Sequence, residues 1–248
     1  VSDITQGILL TERVGKDANI ALLTMNRPEA RNAMNPELRV AISDALKEAE
    51  ADPEVQVVIL TGAGPVFCAG MDLKSFAKGG DMSALTWFYH EGISKPVIAA
   101  LNGTAVAGGF ELALACDLMV AAETAKVGIP EVKRGLYAAG GGTTLAQRIP
   151  LAIALELGLT GDPIPAQRAA ELGLINAVAP AGELITTAIE LADRIAANAP
   201  LALAMTKKLI RERRWGTEEE TRSVFGSADG REGAIAFAEK RPPVWSGK

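Results

Sequence analysis

The sequence predicts an α/β core that carries a helical C-terminal region, and three observations predict it. Short apolar runs with β character recur early in the chain, at residues 19–25, 55–60 and 96–101. Runs with helical spacing alternate with them, the first through Leu38, Ile42, Ala45, Leu46 and Ala49. From Pro150 onward the pattern is almost wholly helical. Strands first and helices last fit an α/β core with a helical extension. No low-complexity linker cuts the 248 residues. Residues 1–183 are therefore read as the core, and 184–248 as a helical region of the same structural unit.

Each element follows from local chemistry. The run at 19–25 ends at Asn26-Arg27-Pro28, a turn signal. Asn35-Pro36 opens a helix, with asparagine as N-cap and proline at the first helical position, and Asp52-Pro53 stops it. Residues 55–60, rich in Val and Ile, read as a strand covered on both faces. Residues 61–74 read as loop, turn and helix, with Gly70 at the turn and the Met71 amide near the helix start. Trp87, Phe88 and Tyr89 cluster in a chain that is only 4% aromatic. They read either as core packing or as the wall of an apolar ligand pocket, and His90 as a structural or surface histidine. Residues 96–101 read as a buried strand. It leads to the paired Gly108-Gly109, where a loop ends and an Ala- and Leu-rich helix begins. Residues 118–122 and 125–127 are short strands. Gly128-Ile129-Pro130-Glu131 is another loop entering a helix, and Gly140-Gly141-Gly142 is a turn before a helix from Thr143. Helical segments follow at 151–159, 166–172, 184–197 and 201–214, separated by glycine and proline.

Composition excludes several functions. Hydrophobic residues are 48%, charged residues 22% and the net charge −5, the profile of a mildly acidic globular protein. The densest basic run, Arg211 to Arg214, is followed at once by Glu218-Glu219-Glu220. It reads as a solvated helix face, so no nucleic-acid partner is expected. The two cysteines, Cys68 and Cys116, lie far apart in apolar contexts and read as buried thiols of a reducing, cytoplasmic compartment. No Cys/His cluster has metal-ligand spacing, so no metal is expected. No signal peptide and no membrane-spanning run is evident.

The chemistry-bearing features are two glycine loops and two glutamates. Gly62-Ala63-Gly64 after a strand invites a dinucleotide reading, but the third glycine is missing and Pro65 intervenes. At Gly108 the amides of a starting helix have no intrahelical partner and favour negative charge. Glu111, alone in an apolar helix, is costly unless paired, hydrated or used; it reads as either a first-turn dipole decoration or a functional carboxylate. Two backbone amides aimed at one oxygen make an oxyanion hole. Two carboxylates can divide the acid and base roles in moving water.

These residues also resemble the enoyl-CoA hydratase/isomerase, or crotonase, superfamily over almost the full chain. The motifs are Asn26-Arg27-Pro28-Glu29-Ala30-Arg31-Asn32-Ala33, Phe67-Cys68-Ala69-Gly70-Met71-Asp72-Leu73, Asn102 to Glu111 with Cys116-Asp117, Pro130-Glu131, and Ala169-Ala170-Glu171-Leu172-Gly173-Leu174-Ile175. The resemblance implies a crotonase-like spiral of ββα units whose helical C-terminal region builds a homotrimer or a hexamer of two trimers. It implies an acyl-CoA thioester whose carbonyl oxygen lies between the amides of Met71 and Gly108, with Ala69, Met71, Asp72, Leu73, Lys74 and Gly108 as CoA- and substrate-binding positions. It implies catalysis by Glu111, which helps deprotonate water, and Glu131, which exchanges the proton at the α-carbon. No cofactor is implied beyond the coenzyme A of the substrate. The reaction expected is hydration of a 2-enoyl-CoA in fatty-acid or related acyl-CoA degradation. An isomerase, dehydratase or lyase of the same scaffold is the alternative, and a non-catalytic acyl-CoA-binding protein the alternative of another class. The family's Pro-Gly-x-Gly-Gly turn, which shapes the acyl end, is replaced here by Ala138-Ala139-Gly140-Gly141-Gly142.

Overall fold

The apolar runs become the middle of a six-stranded sheet. The computed structural model describes residues 7–180 and 182–248. Strand β1 (Leu9–Val14) pairs antiparallel with β2 (Ile20–Met25). Helix α1 (Pro36–Ala51) follows, and the Asn35 side chain accepts from the Leu38 amide at its start, as expected. Strand β3 (Val57–Gly62) joins β2 in parallel and is buried along its whole length.

A repeated unit then builds the fold. After β3 comes β4 (Val66–Cys68), then α2 (Leu73–Ala77) and α3 (Thr86–His90). After β5 (Val97–Leu101) comes β6 (Thr104–Val106), then α4 (Gly108–Ala115). After β7 (Leu118–Ala122) comes β8 (Lys126–Gly128), then a 3-10 helix at Pro130–Arg134. Each turn places its first strand in the large sheet and its second in a small one. The large sheet runs β1-β2-β3-β5-β7-β10 and the small sheet β4-β6-β8-β9, with β9 at Ile164–Pro165 and β10 at Ala177–Ala179. Every βxβ crossover is parallel, as a ββα spiral requires.

Three expectations change. Residues 130–134 form a short 3-10 helix rather than the opening of an α-helix, because Gly135 at φ +70° closes it after one turn. The helix expected from Thr143 is likewise a 3-10 helix, at Gly142–Gln147. The helical stretch after Pro150 is interrupted by β9 and β10 between α5 (Leu151–Thr160), α6 (Ala166–Glu171) and α7 (Leu184–Ala196).

Helix α7 packs on the large sheet. Its Leu184, Ala188, Ala192 and Ala196 are buried against Ile20, Leu22, Val57, Ile59, Ile98, Ala100 and Val120 of the large sheet. The opposite residues of those strands pack into the main core with α1 and α4. In packing terms α7 is part of the core. The helices that extend beyond it are α8 (Pro200–Glu212), α9 (Glu218–Phe225) and α10 (Ala228–Glu239). Asp117 ties α8 back to the core: Lys207 and Arg211 pair with its carboxylate at 2.7 and 2.8 Å, and the Val97 amide donates to it at 2.8 Å. Among the described residues no helix is long and apolar enough to cross a membrane.

Candidate active site

The first glycine loop is braced by the N-terminal motif. Asn32 is fully buried; its Nδ2 donates to the carbonyls of Ala63 and Val66 at 3.0 and 2.8 Å, and its Oδ1 accepts from the Arg27 amide at 2.9 Å. The Ala69 amide donates to Arg31, the Met34 amide to Gly70 and the Asp72 amide to Met34. That parallel bridge between Met34 and Met71 uses the groups on either side of Met71 and leaves its own N–H out of the ladder. The Asp72 carboxylate, expected near substrate, caps α2 through the amides of Lys74 and Ser75 and faces Arg27 at 3.5 Å. Ala69 and Met71 are half-buried, whereas Leu73 and Lys74 are exposed on the rim.

The second loop comes up against the first. Gly70 has φ +97°, and a Cβ there would stand 2.9 Å from the Ala107 side chain and 3.2 Å from the Gly108 nitrogen. A Cβ on Gly108 would stand 3.5 Å from the Met71 nitrogen. The expected pair of amides is thus brought together. Just before Gly108, Ala107 takes φ +52° and ψ −136°, a conformation that costs a non-glycine residue about 1–3 kcal/mol. It aims the first amide of α4 toward the other loop, while the Ala107 carbonyl accepts from Phe110 and Glu111.

Glu111 and Glu131 are both buried, 6% and 9% exposed. Glu111 Oε1 accepts from the amides of Gly140 and Gly142 at 2.7 and 3.0 Å. The turn that departs from the family pattern is therefore what holds this carboxylate. A side chain at Gly140 would place its Cβ 2.8 Å from Glu111 Oε2. Glu131 has no hydrogen-bond partner on either carboxylate oxygen. Burial raises the pKa of both acids. For Glu111 the Gly142 and Gly140 amides oppose the rise. Glu131 is pushed up to about 7 by burial, opposed in part by its own backbone amide, with the nearby Glu111 charge adding to the rise. Cys68 lies beneath the first loop with its Sγ 3.1 Å from the Asn32 carbonyl. Burial pushes its thiol, and that of Cys116, up to about 12, which leaves both inert.

The aromatic cluster packs on the core, with Trp87 and Tyr89 half-buried against it. Phe88 is buried in the core. Trp87 and Tyr89 line a cavity that also takes in Ala139, Gly140 and Gly141. Sequence reasoning missed the bracing by Arg27 and Asn32; its signal was the N-terminal motif itself.

The sequence profile of the enoyl-CoA hydratase/isomerase family matches residues 15–248. The chain is 42% identical to the enoyl-CoA hydratase EchA19 of Mycobacterium tuberculosis, over 94% of each chain. It is 39% identical to the carnitinyl-CoA dehydratase of Salmonella typhi, over 94% of this chain and 97% of that one. Its fold matches the crystal structure of enoyl-CoA hydratase EchA1 from Mycobacterium marinum with a TM-score of 0.90 at 48% identity, over 97% and 99% of the two chains.

Proposed function

The chain belongs to the enoyl-CoA hydratase/isomerase family, and we propose that it adds water across the double bond of a 2-enoyl-CoA to give a 3-hydroxyacyl-CoA. The observation that carries this reading is the unequal carboxylate pair: Glu111 is held by two amides, and Glu131 is buried with both oxygens unpartnered. Water held between them gives its proton to Glu111 and its oxygen to the β-carbon. Glu131, protonated below about pH 7, gives a proton to the α-carbon. Charge that builds on the thioester oxygen is met by the amides of Met71 and Gly108, a contribution of about two to three orders of magnitude per donor. Ala69 to Lys74 form the rim that receives the CoA moiety. The reaction calls for no cofactor beyond the CoA of the substrate.

Moving a double bond needs only a proton transferred, for which one base suffices, so a second buried carboxylate favours hydration over isomerisation. Assembly as a trimer, or two trimers, is supported by apolar residues that this chain leaves uncovered. Leu151, Leu155 and Leu159 form one stripe on α5, and Trp215 in the loop before α9, Phe225 on α9 and Phe237 on α10 lie exposed. The test is turnover of 2-enoyl-CoA thioesters in oxygen-18 water. Hydration places the label on the β-hydroxyl. A protein that shifts a 3-enoyl double bond but never takes up label is an isomerase, and one that binds thioesters saturably without turnover is a binding protein.

A further inference from the structure

Helix α4 carries both the Gly108 amide and Glu111, and at eight residues it is short. The last four carbonyls of a helix lack an intrahelical partner. In α4 two of them are met by arginines from elsewhere in the chain. Arg211 of α8 donates Nη2 to the Ala115 carbonyl at 2.8 Å, and its Nε donates to Asp117. Arg148 donates Nη2 to the Leu114 carbonyl at 2.6 Å. Both cations also meet the negative end of the helix dipole. Arg211 ties this helix end to α8. Arg148 ties it to the segment that holds Glu111.

Residues 140–148 are joined to α4 at both ends. At one end the amides of Gly140 and Gly142 donate to Glu111 Oε1 at 2.7 and 3.0 Å. At the other, one turn further along the same helix, stands the bond from Arg148 to Leu114. Leu145 and Ile149 are buried in the core, but apolar burial is non-directional and does not fix the register of this segment on α4. The turn itself supplies little restraint. Its three glycines are consecutive, Gly141 has φ +115°, and a Cβ on Gly141 would meet nothing within 4 Å. A short, directional, charge-assisted bond supplies what the turn lacks. Arg213 of the α8 end adds a longer contact, 3.2 Å to the Gln147 carbonyl.

We propose that Arg148 is a positioning residue for Glu111: by fastening the end of the glycine segment to the helix that carries this glutamate, it keeps the Gly140 and Gly142 amides on the carboxylate. The role of Glu111 as base rests on the hydratase reading; the fastening does not. Without Arg148 the glycine triplet swings, and the amides leave Oε1 for part of the time. The Glu111 carboxylate then loses the bonds that favour its charged form. Arg148 acts through its bond to Leu114 rather than through its charge. The charged and titratable groups that act on Glu111 and around it are Arg39, Tyr89 and Glu131. Arg148 faces Arg211, Cys116 and Asp117 at the other end of α4.

The test compares the wild type with Arg148→Met and Arg211→Met at equal protein concentration. Both variants lose a cap on α4, but only the first frees the glycine segment. In Arg148→Met the peptide that carries Gly140 and Gly142 should exchange its amide hydrogens about tenfold faster or more, the scale of one charge-assisted hydrogen bond. In hydration of a 2-enoyl-CoA its kcat should fall by about tenfold to a hundredfold with KM little changed. The acid limb of its pH profile, where Glu111 must lose its proton, should move up by about half a pH unit or more. Arg211→Met should leave both the exchange of that peptide and the acid limb as in the wild type. Arg148→Gln serves if the methionine variant does not fold. Unchanged exchange or an unmoved acid limb in Arg148→Met, or equal changes in Arg211→Met, overturns the proposal. If the wild type hydrates no enoyl thioester, the hydratase reading fails, and the exchange rates of the three proteins alone decide whether Arg148 holds the turn.

Discussion

Glu111 and Glu131 are the same residue type, 20 positions apart and similarly buried, yet the chain treats them differently. Glu111 stands on a regular helix, and one of its oxygens is fixed by two amides of the glycine turn. Glu131 stands on a single 3-10 turn, and the chain supplies neither of its oxygens with a donor. Hydrogen bonds to a carboxylate favour its charged form, while bare burial favours its neutral form. The contrast teaches how a fold can set two glutamates apart: amides hold the first, and burial dominates at the second, the unlike environments that the proposed base and acid roles call for.

The comparison breaks first at the carboxylates themselves. Glu111→Gln and Glu131→Gln should each lower kcat for hydration by about two to four orders of magnitude. The double variant should be little worse, because groups acting as a unit are not additive. A double loss equal to the product of the single losses would show two independent roles. Next in size is the oxyanion hole. Gly108→Pro removes the N–H and should cost about two to three orders of magnitude in turnover, with the melting temperature measured alongside, since proline also strains the loop. A folded variant with near-normal turnover removes Gly108 from the hole. A smaller change sharpens the contrast. Gly140→Ala presses a methyl toward Glu111 Oε2 without touching Glu131. Displacing one catalytic group by about 1 Å should lower kcat by up to about a hundredfold, and the limb of the pH profile that belongs to Glu111 should shift while that of Glu131 stays.

Much of this arrangement is legible in the sequence, and the rest is hidden for physical reasons. Strands β2, β3, β5 and β7 are continuous apolar runs because both sheet faces are covered. Strand β1 escapes notice because it is an edge strand whose Thr11, Glu12 and Arg13 face solvent. Strands β4 and β6 are three residues long, too short for alternation to register. The glycine loops and both glutamates stand out by residue type. The bracing by Asn32 does not, because it joins residues 31 and 34 positions apart through single hydrogen bonds. The place of α7 was legible in principle: Ala188, Ala192 and Ala196 at four-residue spacing give a smooth stripe that lies close on a sheet. The unequal treatment of Glu111 and Glu131 was not, since it depends on a turn that reaches back 29 residues.

The effect on stability bears most directly on the contrast, because it needs no substrate. The pKa of Glu131 rises from an ordinary 4.5 to about 7 on folding. The folded state therefore binds this proton more tightly than the unfolded state. By linkage the stability is fully present below about pH 4.5 and is lost as pH rises toward 7, by about 3 kcal/mol at most. Glu131→Gln removes the ionisable group. It should match the wild type in urea unfolding near pH 4.5 and be more stable at pH 8, by up to about 3 kcal/mol, at equal protein concentration. Glu111→Gln should gain less at pH 8, because the amides of Gly140 and Gly142 already offset part of the burial that raises its pKa. In the wild type, hydration should fall as pH climbs through about 7, as Glu131 loses the proton it must donate. If Glu111→Gln gains as much as Glu131→Gln, the chain does not distinguish its two carboxylates in the way their hydrogen bonds indicate.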